Sequence, residues 1–158
     1  MIGRSFERKE LLKAYSSEYS EFVAVYGRRR VGKTFLIRET FNYEFTFQHA
    51  GLKKKSTAIQ LDRFRQSLVE SGYKDCPTLV NWYKAFDELK VVIKASEEPK
   101  KVVFIDEMPW MDRPNANFLS ALENFWNAWA SARKDILLII CGSAASWMLK
   151  RVVYNKEG

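Results

Sequence analysis

An α/β fold built on a parallel sheet is what this sequence predicts, and three observations carry the prediction. Residues 102–105 (Val-Val-Phe-Ile) and 136–140 (Ile-Leu-Leu-Ile-Ile) are apolar without interruption, the pattern of strands buried on both faces. Around them lie stretches whose apolar residues recur every three or four positions, the spacing of amphipathic helices. The two patterns alternate along the chain, and strands alternating with helices give a parallel sheet covered by helices.

In chain order, residues 2–4 read as a short extended lead-in to a helix with Phe6, Leu11, Leu12 and Tyr15 for packing and Ser5 as N-cap. Residues 22–26 (Phe-Val-Ala-Val-Tyr) are β-prone, and residues 33–41 continue as a helical pattern with Leu36, Ile37 and Phe41, ended by Asn42. Residues 43–48 alternate aromatic and polar side chains, which predicts a strand with one buried face. After a basic loop over 51–55, Ile59, Leu61, Phe64 and Leu68 mark a helix that ends near Gly72. A second amphipathic helix starts just after Pro77, with Leu79, Trp82, Phe86, Leu89 and Ile93 at steps of three and four. A polar linker over 96–101 carries the helix-stopping Pro99, and the first apolar run then ends in Asp106-Glu107. Phe118, Leu122, Phe125 and Trp129 stripe the next helix with Trp126 beside them, a spacing that reads as core or interdomain packing rather than base stacking. The second apolar run leads into Cys141-Gly142-Ser143 and a last helix with Trp147, Met148 and Val152. No repeat or low-complexity segment interrupts this order, and 158 residues read as one domain.

With 47% hydrophobic and 28% charged residues the composition is that of a globular chain. No stretch has the apolar length of a signal peptide core or a membrane span, so a cytoplasmic location and no membrane partner are expected. Cys76 and Cys141 lie far apart in sequence, and with the single histidine, His49, they cannot supply a four-ligand zinc site. They read as reduced, buried thiols, and His49 as a structural residue at a strand end. The net charge of +7 invites a polyanionic partner. Its clusters, Arg28 to Arg30, Lys53 to Lys55 and Lys100-Lys101, need not share a face.

The segment Gly27-Arg28-Arg29-Arg30-Val31-Gly32-Lys33-Thr34 fits G-x-x-x-x-G-K-[ST], the phosphate-binding loop called Walker A. Two glycines let the backbone turn tightly and approach a polyphosphate, so that N–H groups and the N-terminus of the following helix form an anion site. Lys33 supplies a mobile charge for the β- and γ-phosphates, and the Thr34 hydroxyl is placed to ligate Mg²⁺. Phe35 completes the predicted nucleotide-binding segment. The motif has its required context, a β-prone run entering and a helical pattern leaving. Arg28, Arg29 and Arg30 keep two readings: solvated loop positions, or contacts to phosphate, a neighbouring subunit or DNA.

An apolar strand ending in Asp106-Glu107 downstream of such a loop is the Walker B arrangement. Asp106 is the predicted Mg²⁺ carboxylate, and Glu107 the residue that polarises an attacking water. A carboxylate placed to activate water favours hydrolysis over phosphoryl transfer to another acceptor. Ser143, at the tip of the next strand, has two compatible readings: a sensor of the γ-phosphate or attacking water, and the N-cap of the last helix. The predicted catalytic set is therefore Lys33, Glu107 and Ser143. Trp110 should lie at the rim of the same site.

At this point the chain resembles the prokaryotic, archaeal-type P-loop ATPases of the AAA+/STAND group. The resemblance rests on Ile2-Gly3-Arg4, on Gly27 to Thr34, on Phe104-Ile-Asp-Glu-Met-Pro-Trp110 and on Cys141-Gly-Ser-Ala144. It implies a three-layer P-loop NTPase with sheet order 5-1-4-3-2, ATP with Mg²⁺ as cofactors, a helical lid and further C-terminal domains. It also implies that Gly3 and Arg4 lie near the adenine. Measured against that pattern the sequence lacks strand 5 and the lid, with any sensor 2 or arginine finger they carry. The expectation is a C-terminally truncated ATPase domain that binds ATP, hydrolyses it slowly and exposes its phosphate-loop strand as a sheet edge. The function expected is a nucleotide-dependent switch or motor within a larger protein, with homo-oligomerisation left open. The alternatives are a nucleic-acid-binding protein with secondary or vestigial nucleotide binding, and a small-molecule kinase, for which no acceptor pocket or closing lid is evident.

Overall fold

The computed structural model describes residues 2–26 and 32–142, with side chains described from residue 7 onward except that of Tyr26. Four strands form one parallel sheet: β1 (Glu21–Tyr26), β2 (Phe47–Ala50), β3 (Lys101–Asp106) and β4 (Ile136–Gly142), in the order β1-β4-β3-β2. This is the predicted 1-4-3-2 portion of the sheet. Every residue of β3 and β4 is buried, as their uninterrupted apolar runs require. β2 alternates buried and exposed residues, and β1 is mostly half-buried, so these two form the edges of the sheet among the described residues.

The layers follow from the two-residue period of a strand. Val102 and Phe104 of β3 and Leu137, Ile139 and Cys141 of β4 face a cluster with Leu11 of α1 (Ile2–Tyr15) and Leu36 and Ile37 of α2 (Lys33–Thr40). Val103, Ile105, Leu138 and Ile140 face the opposite way. There they meet α3 (Thr57–Glu70), α4 (Trp82–Ala95) and α5 (Phe118–Ala128) through Phe64, Trp82, Phe86, Phe118 and Phe125. Trp126 is buried edge-on against Phe22, and Trp129 carries Arg133 and Lys90 over its ring. Both tryptophans serve packing, as their spacing predicts. No described helix is long and apolar enough to cross a membrane. Cys76 and Cys141 are free and buried.

Several local expectations are corrected. Residues 2–4 belong to α1, so they are not extended and Ser5 is not the N-cap. The second strand begins at Phe47 rather than 43, because Asn42 and Tyr43 both take left-handed backbone (φ 55° and 60°) to turn the chain out of α2. α4 starts at Trp82, capped by the Asn81 side chain accepting from the Lys84 N–H at 2.8 Å, with Leu79 buried ahead of it. Ile59 is 48% exposed, off the packed stripe of α3. Lys100 and Lys101 are buried instead of solvated: Lys100 Nζ donates to the Ser17 and Tyr19 carbonyls, and Lys101 pairs with Asp135 at 3.2 Å. The basic pair therefore clips chain segments together and presents no patch to a polyanion. The predicted last helix with Trp147, Met148 and Val152 lies outside the described residues.

Candidate functional site

Ligands of open parallel sheets bind at the carboxyl ends of the strands. There, Gly32 takes a left-handed conformation (φ 68°, ψ 35°) that admits glycine without strain and starts α2. Lys33 opens the helix and is buried, and Thr34 follows it half-buried. β3 delivers Asp106, 7% exposed, to the same place. The Thr34 Oγ1 donates to Asp106 Oδ2 at 2.6 Å, across 72 residues of sequence. Asp106 Oδ1 accepts from the Glu107 N–H at 2.8 Å, so both carboxylate oxygens are engaged and the carboxylate plane is set.

Glu107 has left-handed backbone (φ 53°, ψ 37°), uncommon for a residue with a side chain, and leads into a 3₁₀ turn over Met108–Met111. Within that turn the Trp110 Nε1 donates to Glu107 Oε2 at 3.0 Å. Beside Asp106 lies the Cys141 thiol. Burial, then the charge of Asp106 and a hydrogen bond with it, push that thiol well above its usual range, against an opposing pull from Lys33. Cys141 is accordingly held protonated and unreactive.

These residues border a cleft of about 370 Å³ lined by Gly32, Lys33, Thr34, Phe35, Arg38, Tyr43, Asp106 and Glu107. A wider groove of about 920 Å³ runs near Leu12, Tyr15, Thr46, Tyr73 and Lys100. It lies toward the amino ends of the strands and holds none of the phosphate-loop residues, so the smaller cleft is the candidate site. The structure thus brings together Gly32, Lys33, Thr34, Phe35, Asp106 and Glu107. Gly27, Arg28, Arg29, Arg30, Val31 and Ser143 lie outside the described residues, and for Gly3 and Arg4 only their place in the first turn of α1 is described. A hydroxyl and a buried carboxylate converging on one point suit Mg²⁺, which takes few protein oxygens and keeps several waters. No described group of three or more His, Cys, Asp or Glu could hold a metal by side chains alone.

The sequence reading did not assign Arg38 and Tyr43 to the cleft. Arg38 lies one helical turn beyond Thr34, a signal that was available. Two glycines also escaped it. A Cβ on Gly51 would meet the Glu107 carbonyl oxygen at 2.5 Å, and one on Gly142 would meet Pro109 Cδ at 2.7 Å. The turn carrying Glu107 therefore nests between the ends of β2 and β4 because neither has a side chain there. Gly51→Ala is expected to destabilise the fold by about 1–3 kcal/mol, since the obstacle is backbone that cannot rotate away. The urea midpoint measures this, and an unchanged midpoint would mean that the turn is free to shift.

His49 is buried, with Nδ1 2.8 Å from Ser67 Oγ and its ring against Phe64. It pairs in register with Ile105, next to Asp106, and lines a cavity of about 320 Å³ together with Arg38 and Asp106. Its Nε2 is buried without a hydrogen-bond partner among the described residues, so it is packed in the core as expected but not fully satisfied.

Comparison with known proteins agrees with this geometry. The profile of a family described as an ATPase domain predominantly from Archaea matches residues 2–157. The uncharacterized protein MJECL04 of Methanocaldococcus jannaschii is 28% identical over 161 residues, covering 99% of this chain and 32% of that protein. The Walker-type ATPase PABY2304 of Pyrococcus abyssi superposes with a TM-score of 0.59 at 17% identity, over 94% of this chain and 47% of that one. A chain from the structure of Drosophila ORC bound to GC-rich DNA and Cdc6 gives 0.51 at 10% identity, over 98% and 56%. At these identities the structural likeness establishes the fold. The chain spans about a third of the curated relative and about half of each solved one.

Proposed function

Because the chain belongs to the family of ATPase domains found predominantly in Archaea, we propose that its cleft binds ATP with Mg²⁺ and hydrolyses the γ-phosphate. The observation that carries this reading is the 2.6 Å hydrogen bond from Thr34 to Asp106 with Glu107 adjoining it. It links two segments of the proposed phosphate site that are 72 residues apart in sequence. Lys33 and the N-terminus of α2 place positive charge against the β- and γ-phosphates. Thr34 and Asp106 would hold Mg²⁺, which neutralises charge on those phosphates when bound. Glu107 accepts a proton as the water oxygen bonds to the γ-phosphorus and the bond to the β-phosphate oxygen breaks, leaving ADP and inorganic phosphate. Arg28 to Arg30 and Ser143 complete the proposed phosphate shell, and Gly3 and Arg4 the adenine side.

The role of a nucleotide-dependent switch or motor within a larger protein is part of the same proposal. Its support is that the curated relative is about three times the length matched.

Lys33→Ala tests the reading. ATP affinity should fall roughly 10–100-fold, the loss of one to two charge-assisted hydrogen bonds, measured by titration with a fluorescent ATP analogue in Mg²⁺. Unaltered affinity would place the nucleotide elsewhere.

A further inference from the structure

Trp110 stands on the turn that follows Asp106, and its contacts run inward as well as toward the cleft. Its indole N–H takes one of the two carboxylate oxygens of Glu107 at 3.0 Å. Its own N–H donates to the Glu107 carbonyl at 3.2 Å. Its carbonyl accepts from Gln60 Nε2 at 3.2 Å, and Gln60 is fully buried. The same Gln60 side chain accepts from the Leu52 N–H at 2.9 Å and donates to the Leu52 carbonyl at 2.6 Å. The indole is thus anchored through α3 and the loop after β2, on elements that do not move with the Glu107 side chain.

A glutamate has three side-chain torsions, and a proton acceptor contributes only in the rotamer that meets the water. A hydrogen bond to an ionised carboxylate is strong enough to outweigh the entropy of holding one such rotamer. We propose that Trp110 is a positioning residue for hydrolysis: its indole N–H fixes the Glu107 carboxylate through one oxygen and leaves the second for the attacking water. The proposal rests on the reading of Glu107 as proton acceptor. It assigns a function to the tryptophan four positions after Asp106 beyond filling space.

The test compares Trp110→Phe with the unaltered chain, in turnover and in the indole region of the ¹H–¹⁵N spectrum. Turnover should fall roughly 10–100-fold at saturating ATP, while KM changes less than about twofold, because orientation is lost and nucleotide contacts are not. The resonance missing from Trp110→Phe identifies the Trp110 indole, and Glu107→Gln should move that resonance upfield as a charge-assisted bond becomes a neutral one. Turnover equal to or above that of the unaltered chain would overturn the proposal, as would a resonance unmoved by Glu107→Gln. Trp110→Tyr gives the same comparison if the phenylalanine variant does not fold. Absence of phosphate release from the unaltered chain would remove the hydrolysis reading and the role together. The resonance would still report whether the contact exists, so the two failures are distinct.

Discussion

Glu107→Gln is expected to lower ATP turnover by roughly 10²–10⁴-fold, the range for losing a positioned general base, while ATP is still bound. The amide matches the carboxylate in shape, and its oxygen can still accept from the Trp110 indole, so the turn and the Asp106 contact should persist. What disappears is the capacity to take a proton. The residue also occupies left-handed backbone at φ 53°, a conformation that costs on the order of 1 kcal/mol for a side-chain-bearing residue and collects at functional positions. That cost is offset by the Asp106 carboxylate accepting from the Glu107 N–H. Single-turnover phosphate release, with equilibrium ATP binding alongside, measures the effect. Turnover within about threefold of the unaltered chain would fall far short of the effect of losing a general base and would show that another group activates the water.

Stability should fall by about 1.4 kcal/mol per pH unit as pH drops below about 6.5, and His49 is the cause. Burial, reinforced by the Arg63 charge, pushes its imidazole down to about 3 in the folded chain. Above pH 6.5 neither folded nor unfolded chain protonates it, and its contribution is fully present. Below that, the unfolded chain takes up a proton that the folded one refuses, and the loss continues until the folded imidazole protonates near pH 3. His49 is the single histidine, so the window from pH 6.5 to 5 is its own. Glu88 and Asp135 are held below the usual carboxylate range, by Lys84 and Tyr73 and by Arg133 and Lys101 respectively. Their contributions are lost only at lower pH. Urea unfolding at pH 7, 6 and 5 checks the slope, and His49→Leu or His49→Gln should flatten it. A slope that survives both substitutions would assign the proton uptake to another group.

How far the site was legible depends on whether its signals are local. The unbroken burial of β3 and β4 follows from side chains that tolerate water on neither face, and composition carries that information directly. Gly32 at positive φ and Asp106 at a strand end are likewise local consequences of the motifs. Strand β2 was displaced because period-two alternation continues through Phe45, Phe47 and His49, while the left-handed pair Asn42 and Tyr43 removes its first residues. Gln60 sits between apolar neighbours in α3 with nothing in its spacing to mark it. Its burial makes sense only once the Leu52 and Trp110 backbone groups are seen around it. Lys100 looked like linker charge for the same reason: the carbonyls that hold it come from residues more than 80 positions earlier.

By itself the sequence determined the α/β class and the central strands, and it singled out the two segments and the residues of the candidate phosphate site. Hydrophobic period and motif spacing are properties of short stretches, and short stretches carry them whole. Only the tertiary structure decided that the Thr34 hydroxyl donates to the Asp106 carboxylate and that two missing Cβ atoms admit the Glu107 turn. It alone set the Trp110 indole on the Glu107 carboxylate and buried Lys100 and His49. Those facts depend on distances between segments, which the parallel order β1-β4-β3-β2 sets and no single segment contains.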